Sequence, residues 1–282
     1  MHGEIWLKLE TLQPVNSFKI RGAYNAAMAA PRESVAQGLV TVSAGNMAQG
    51  VAYVARELGV PATIAVPDNA PQAKLSAIDR LGGRVVPMPY DDWWGVMESH
   101  RLDGVQGLFV HPVENEGVMA GNGTIGLELV EDLPDVDTVV VPVGGGGLLT
   151  GIASAVKQLR PGTRVVSAQP ETASAVAAAF ERGGPVEIDY TPTWIDGAGA
   201  KAIFPGMWPY LQELVDDAAV VTLDEVEEAV RVLAGRVRII AEGAGALALA
   251  AALAGRTGGR KVACIVSGGN IDAEVLCRIL NA

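Results

Sequence analysis

The chain has 282 residues, 49% of them hydrophobic, with 34 glycines and 16 prolines. That is enough apolar material for one large domain or two modest ones, and glycines set beside apolar runs exclude a disordered composition. A net charge of −11 without any basic stripe excludes nucleic acid and anionic membrane surfaces as natural partners, so an anionic ligand has to be captured by local geometry.

The start, Met1 to Glu10, alternates charge and hydrophobe and carries no signal-peptide pattern; Glu4 to Glu10 reads as a strand. The longest apolar stretch, Ala244 to Ala254, is too short to span a bilayer. Cys264 lies in an apolar run and Cys277 in a helix-like tail, with no metal or redox spacing. Both read as small hydrophobes in a reducing compartment, which points to the cytoplasm.

The first segment with chemical content is Ser17-Phe18-Lys19-Ile-Arg21-Gly22-Ala23. A lone Lys at a helix start is usually a solvated charge. Flanking Phe18 and Ile20 allow the other reading, an amine whose pKa falls through desolvation.

Leu39 to Val42 reads as a strand and Met47 to Leu58 as a helix, with Ser43-Ala44-Gly45-Asn46 between them. Such a helix start either caps itself through Ser43 or Asn46, or receives an anion. Strands follow at Ala62 to Val66 and Arg84 to Val86, separated by a helix over Ala73 to Leu81. Trp93-Trp94 beside Asp91 and Asp92 reads as packing at a helix start. Pro112 to Asn122 is Gly-rich and acidic, and reads as an irregular crossing between lobes.

Thr138 to Val143 is an apolar strand that runs into Gly144-Gly145-Gly146-Gly147-Leu148, then into a helix from Leu148 to Leu159. Glycines permit close approach and the helix start offers unpaired N–H groups, an arrangement suited to a phosphate; a flexible turn is the alternative. The spacing fits neither a nucleoside-triphosphate loop nor a dinucleotide fingerprint. Further strands read at Arg164 to Ser167 and Val262 to Val266, and further helices at Leu223 to Ala234 and Ala244 to Leu253. The last strand stops at Ser267-Gly268-Gly269-Asn270, either a plain turn or a hydroxyl set at a strand's C-terminal end. Strands and helices in alternation, with several strands apolar throughout, give an α/β chain with mainly parallel sheets. His2, His100 and His111 show no partner spacing, so no metal site is expected.

Together these motifs resemble the threonine/serine dehydratase family of pyridoxal-phosphate enzymes, of fold type II and related to tryptophan synthase β. The resemblance rests on Leu7 to Glu10, Ser17 to Ala23, Ser43 to Asn46, Ala48-Gln-Gly50, Pro67 to Pro71 and Gly121 to Gly126. The four-glycine loop, Glu242-Gly-Ala-Gly-Ala246 and Ser267 to Asn270 complete it, and it spans nearly the whole chain.

The resemblance implies two lobes of twisted parallel sheets flanked by helices: a pyridoxal-phosphate domain of residues 1–38 plus 112–282, and a substrate-side domain of residues 39–111. It implies that Lys19 holds pyridoxal 5′-phosphate and moves protons at Cα, and that Gly144, Gly145, Gly146, Gly147 and the Leu148 N–H cradle the phosphate. Asn46 meets the ring oxygen, Ser267 faces the pyridine nitrogen, Phe18 lies against the ring, and Glu242 and Gly197 flank its edges. Ser43, Ala44, Gly45 and Asn46 receive the substrate carboxylate, with Ser43 among the catalytic residues.

The implied reaction is β-elimination from a small L-hydroxy-amino acid such as threonine or serine, giving a 2-oxo acid and ammonia, in a homodimeric cytoplasmic enzyme. Alternatives are a racemase, a dehydratase of an unusual β-hydroxy amino acid, or a protein that binds the cofactor without turnover. Departures from the pattern carry meaning. Met47 stands where the family usually has His. Ala44 stands where related racemases have Ser, and Gln169 and Ala175 stand where they have cation ligands. The usual segment before the first strand and a C-terminal regulatory domain are expected to be absent.

Overall fold

The structure is a computed structural model that describes residues 3–195 and 197–281. His2 and Asp196 lie outside the described residues. In chain order, β1 (Glu4–Leu9) is followed by α1 (Lys19–Ala29), α2 (Arg32–Ala36), β2 (Leu39–Val42), α3 (Asn46–Leu58), β3 (Ala62–Pro67), α4 (Gln72–Arg80), β4 (Gly83–Met88), α5 (Tyr90–Ser99) and β5 (Leu108–Phe109). Then come α6 (Glu116–Asp132), β6 (Thr138–Pro142), α7 (Gly147–Leu159), β7 (Arg164–Pro170), α8 (Ala175–Arg182), α9 (Trp208–Leu214), β8 (Asp217–Val221), α10 (Leu223–Val232), α11 (Gly243–Leu253), β9 (Lys261–Val266) and α12 (Ala273–Asn281).

The strands form two sheets, of order β1-β9-β6-β7-β8 and β4-β3-β2-β5, and every described pairing is parallel. The chain is therefore the α/β protein its periodicity implies. By compactness it divides into Met1–Leu12 with Gly123–Ala282, and Gln13–Asn122.

In the first unit, β6 and β9 are apolar on both faces because helices cover both; Val139, Val140, Ile265 and Val266 are fully buried. Leu149 and Ile152 of α7 are fully buried as well, so truncating either to Ala costs about 2–5 kcal/mol. Helix α10 starts on a capping box: the Thr222 hydroxyl accepts from Glu225 N–H at 3.2 Å, and the Glu225 carboxylate accepts from Thr222 N–H at 2.8 Å.

In the second unit, Leu39, Val51, Val54 and Ile64 are fully buried and share one core with Ala23, Ala27 and Met47. Helix α3 contributes a continuous apolar face and ends at Gly59, whose φ of +68° closes it without strain.

One expectation needs correction. The segment from Pro112 to Asn122 is not irregular throughout, because α6 begins at Glu116 and runs to Asp132. Its glycines are there for close packing rather than for a loop. A Cβ at Gly121 would collide with the Arg21 carbonyl of α1, and one at Gly126 would stand 2.9 Å from the Ile152 carbonyl of α7. Glycine weakens a helix in isolation, but here it lets backbones approach where a side chain would not fit.

Candidate active site

Two clusters of sequence-singled residues form, one in each compact unit, and each is described within its own unit.

In the larger unit both loops of interest leave the C-terminal ends of neighbouring parallel strands, where α/β proteins place ligands. Strand β6 pairs with β9 through Val140 and Cys264, and continuing that register sets Val143 level with Ser267. Gly144 to Gly146 then turn the chain into α7. Gly146 has φ +104°, a backbone that side chains rarely adopt, and a Cβ at Gly144 would stand 3.0 Å from the Gly197 carbonyl. The helical ladder begins with Thr150 N–H to the Gly146 carbonyl at 2.8 Å, so the N–H groups before Thr150, including that of Leu148, precede the first intrahelical bond.

Ser267 is 3% exposed at the end of β9. Beside it, Glu242, 6% exposed, is the residue before α11, and its N–H donates to the Gly268 carbonyl at 3.0 Å. Gly245 on the first turn of α11 lies so near the Gly268 carbonyl that no Cβ fits. Thus Gly144 to Leu148, Glu242 and Ser267 converge on one end of one sheet. Cys264 has no part in this, since burial pushes its thiol up to about 12 and leaves it an inert hydrophobe.

In the smaller unit Lys19 is the first residue of α1, and its side chain turns inward. Nζ donates to the Pro112 carbonyl at 3.1 Å and lies 5.1 Å from the Phe18 ring centroid. Gly50 of α3 packs on the backbone of Lys19, where a Cβ would come within 3.2 Å. Ser17, fully buried two residues earlier, has a hydroxyl with no hydrogen-bond partner among the described residues.

The loop from Ser43 to Asn46 follows β2, and the Ser43 hydroxyl accepts from Gly45 N–H at 3.2 Å, a local turn bond rather than a helix cap, because α3 starts after Gly45 with no side-chain cap. A Cβ at Gly45 would meet nothing within 4 Å, so the loop faces open space there. Strand β2 pairs with β5 through Val40 and Phe109, and continuing the register sets Ser43 level with Pro112. Lys19, through Pro112, and the loop 43–46 thus meet at one end of the smaller sheet. Met47, by contrast, is 1% exposed and belongs to the core.

His111 is the residue that sequence reasoning undervalued. It is buried, and its Nδ1 accepts from the N–H groups of Val113 at 3.2 Å and Glu114 at 2.7 Å. Burial first, then the neighbouring His100 and the Lys19 charge, push its imidazole down to about 3, with the Met97 backbone pulling the other way. The ring is therefore neutral at physiological pH.

These features fit pyridoxal phosphate. In the larger unit a glycine cradle leads into a helix start suited to a phosphate, and in the smaller unit an inward-turned lysine amine lies beside an aromatic ring.

A family model described as pyridoxal-phosphate dependent enzyme matches residues 1–268. The chain belongs to this family. It is 41% identical to an L-threonine ammonia-lyase of Thermotoga maritima over 99% of this chain and 70% of that protein. Among solved structures it is similar to maize serine racemase (TM-score 0.89, 33% identity, 99% of this chain and 87% of that one). It is likewise similar to the processed form of threonine deaminase isoform 2 from Solanum lycopersicum (TM-score 0.88, 33% identity, 98% of this chain and 82% of that one). Fold type II, which the motif order implies, and pyridoxal phosphate as the cofactor both follow from this membership.

Proposed function

We propose that this chain is an ammonia-lyase that removes water and then ammonia from a small L-hydroxy-amino acid such as threonine or serine. The observation that carries this reading is the 41% identity, over nearly the whole chain, to a relative named L-threonine ammonia-lyase. Lys19 would hold the cofactor covalently, with Phe18 against its ring. The backbone of Gly144, Gly145, Gly146, Gly147 and Leu148 would hold its phosphate, and Asn46, Glu242 and Ser267 would contact the ring. Bound pyridoxal phosphate supplies an electron sink for the bonds at the substrate's Cα.

The chain's own residues do the rest. The loop from Ser43 to Asn46 would receive the substrate carboxylate and fix the Cα–H direction. Lys19 takes the Cα proton as a general base. Ser267 would place a hydroxyl rather than a carboxylate at the pyridine nitrogen. It therefore does not hold a proton there, which favours prompt loss of the β-hydroxyl as water. The released enamine takes up water to give a 2-oxo acid and ammonia. We take residues 39–111 as the substrate-side domain of this reading, and a cytoplasmic homodimer as its setting.

The likeness to serine racemase supplies a second reading, conversion of L- to D-serine on the same scaffold. A racemase needs a proton donor on each face of Cα, and Ala44 provides none opposite Lys19. The test is a panel of L- and D-serine, L- and D-threonine and bulkier β-hydroxy amino acids assayed for 2-oxo acid. Oxo acid from the small L-substrates supports the lyase; cofactor absorbance with no oxo acid from any of them overturns it.

A further inference from the structure

His100, His111 and Glu114 bring ligand atoms within 4.8 Å of one another, yet the trio does not form a metal site. The Nδ1 lone pair of His111 is committed to two backbone N–H groups, so the neutral ring carries its proton on Nε2 and offers a cation neither nitrogen. The same two bonds suggest a different task. We propose that His111 is a positioning residue for the Lys19 amine: by gathering the N–H groups of Val113 and Glu114 it folds the turn that aims the Pro112 carbonyl at Nζ. This inference rests on the reading of Lys19 as the cofactor-holding lysine.

A continuous chain of contacts carries it. The Thr41 hydroxyl, fully buried on β2, donates to the Val110 carbonyl at 2.7 Å, and Val110 N–H donates to the Val40 carbonyl at 2.7 Å. These bonds anchor the residue just before His111 to the middle of the sheet. The His111 ring is clamped by His100, stacked on it with centroids 4.1 Å apart and planes 18° from parallel. With its ring fixed and its Nδ1 holding the two following amides, the backbone from 111 to 114 has one shape. Pro112 inside that shape stiffens it further, because its φ is locked. Its carbonyl is therefore a preset acceptor, and Nζ takes it at 3.1 Å. A lysine side chain has about 2 kcal/mol of rotamer entropy to lose, so a preset acceptor decides where the amine waits. His111 touches no reacting atom in this account. It acts through Pro112.

The experiment compares His111→Leu, which removes the acceptor at similar volume, with His111→Asn, whose amide oxygen can accept N–H groups two or three residues ahead. Borohydride reduction and peptide mapping of the wild-type holoenzyme come first; a label on a lysine other than Lys19 overturns the active-site reading and this inference with it. Given a label on Lys19, His111→Leu is expected to lower kcat about tenfold or more with KM changed less than about threefold, and to weaken the visible circular dichroism of the bound cofactor. His111→Asn should restore both to within about threefold of wild type. Wild-type kcat and dichroism in His111→Leu, or equal damage in both variants, overturn the proposal while leaving Lys19 in place. If His111→Leu does not fold, Pro112→Gly decides: it loosens the same carbonyl without touching the ring, and full activity with an unchanged dichroism band refutes the role.

Discussion

Lys19 Nζ donates to the main-chain carbonyl of Pro112 at 3.1 Å, a bond between residues 93 positions apart that sets the amine beside the loop from Ser43 to Asn46. A lysine at a helix start would ordinarily extend into water. Here the Phe18 ring, the Gly50 backbone and the Pro112 carbonyl draw it inward. Borohydride reduction of the holoenzyme followed by peptide mapping should label Lys19 and leave Lys8, Lys74 and Lys201 unlabelled. Lys8 is already paired with Glu128 at 2.7 Å. Lys19→Ala should fold normally and lose all turnover, whereas residual activity near wild type would remove Lys19 from the chemistry.

The glycine loop gives a graded prediction. Gly146 sits at φ +104°, so Gly146→Ala should cost at least about 1 kcal/mol of stability through backbone strain alone. Gly144 is not in the left-handed region, and its added Cβ would press on the Gly197 carbonyl at 3.0 Å, so Gly144→Ala should be milder in thermal melting. Both should weaken cofactor binding by about tenfold or more in an absorbance titration of the apoprotein, since both would fill space in the proposed phosphate cradle. Unchanged affinity in both variants would show that the phosphate binds elsewhere.

Much of this was legible in the sequence, and the reasons for the rest are physical. Strand β2 was readable from Leu39 to Val42 because helices bury it on both faces, which leaves an unbroken apolar run. Helices α3 and α7 were readable because glycine loops mark their starts. The four-glycine loop and Ser267 fell at strand ends for the same reason. Strand β5, only two residues long, has no period to detect, and β8 is short and opens on Asp and two alanines, residues that strands disfavour. Helix α6 was hidden because glycine reads as a breaker, while its use in packing against Arg21 and Ile152 depends on partners far along the chain. His111 was hidden more deeply. Its importance lies in main-chain N–H groups and a carbonyl, and those are the same in every sequence.

Burial of His111 makes a pH prediction. Its folded-state value of about 3 lies below the ordinary 6.5, so between these limits the unfolded chain binds a proton that the folded chain refuses. Stability should therefore be complete above about pH 6.5 and fall by on the order of a few kcal/mol as pH drops toward 3, where the loss levels off. The charged and titratable groups facing the ring are His100, Glu114 and Lys19. Urea titrations from pH 4 to 8 should show this slope in the wild type and a shallower one in His111→Asn. Equal slopes would mean that His111 is protonated in the fold.

In the proposed reaction Ser267 faces the ring nitrogen of the bound cofactor. Ser267→Asp puts a carboxylate at a position only 3% exposed, where it would share a proton with a bound pyridine nitrogen. Oxo-acid formation should fall by about tenfold or more, with the cofactor still bound. Wild-type kcat in that variant would show that the pairing at this nitrogen does not set the reaction.

The most direct test of the whole account is the product formed from L-threonine and L-serine. We expect ammonia and 2-oxo acid in equal amounts, little D-amino acid by chiral chromatography, and the same rate with and without a chelator. D-serine or D-threonine accumulating faster than oxo acid, or activity abolished by chelation, would contradict the ammonia-lyase reading.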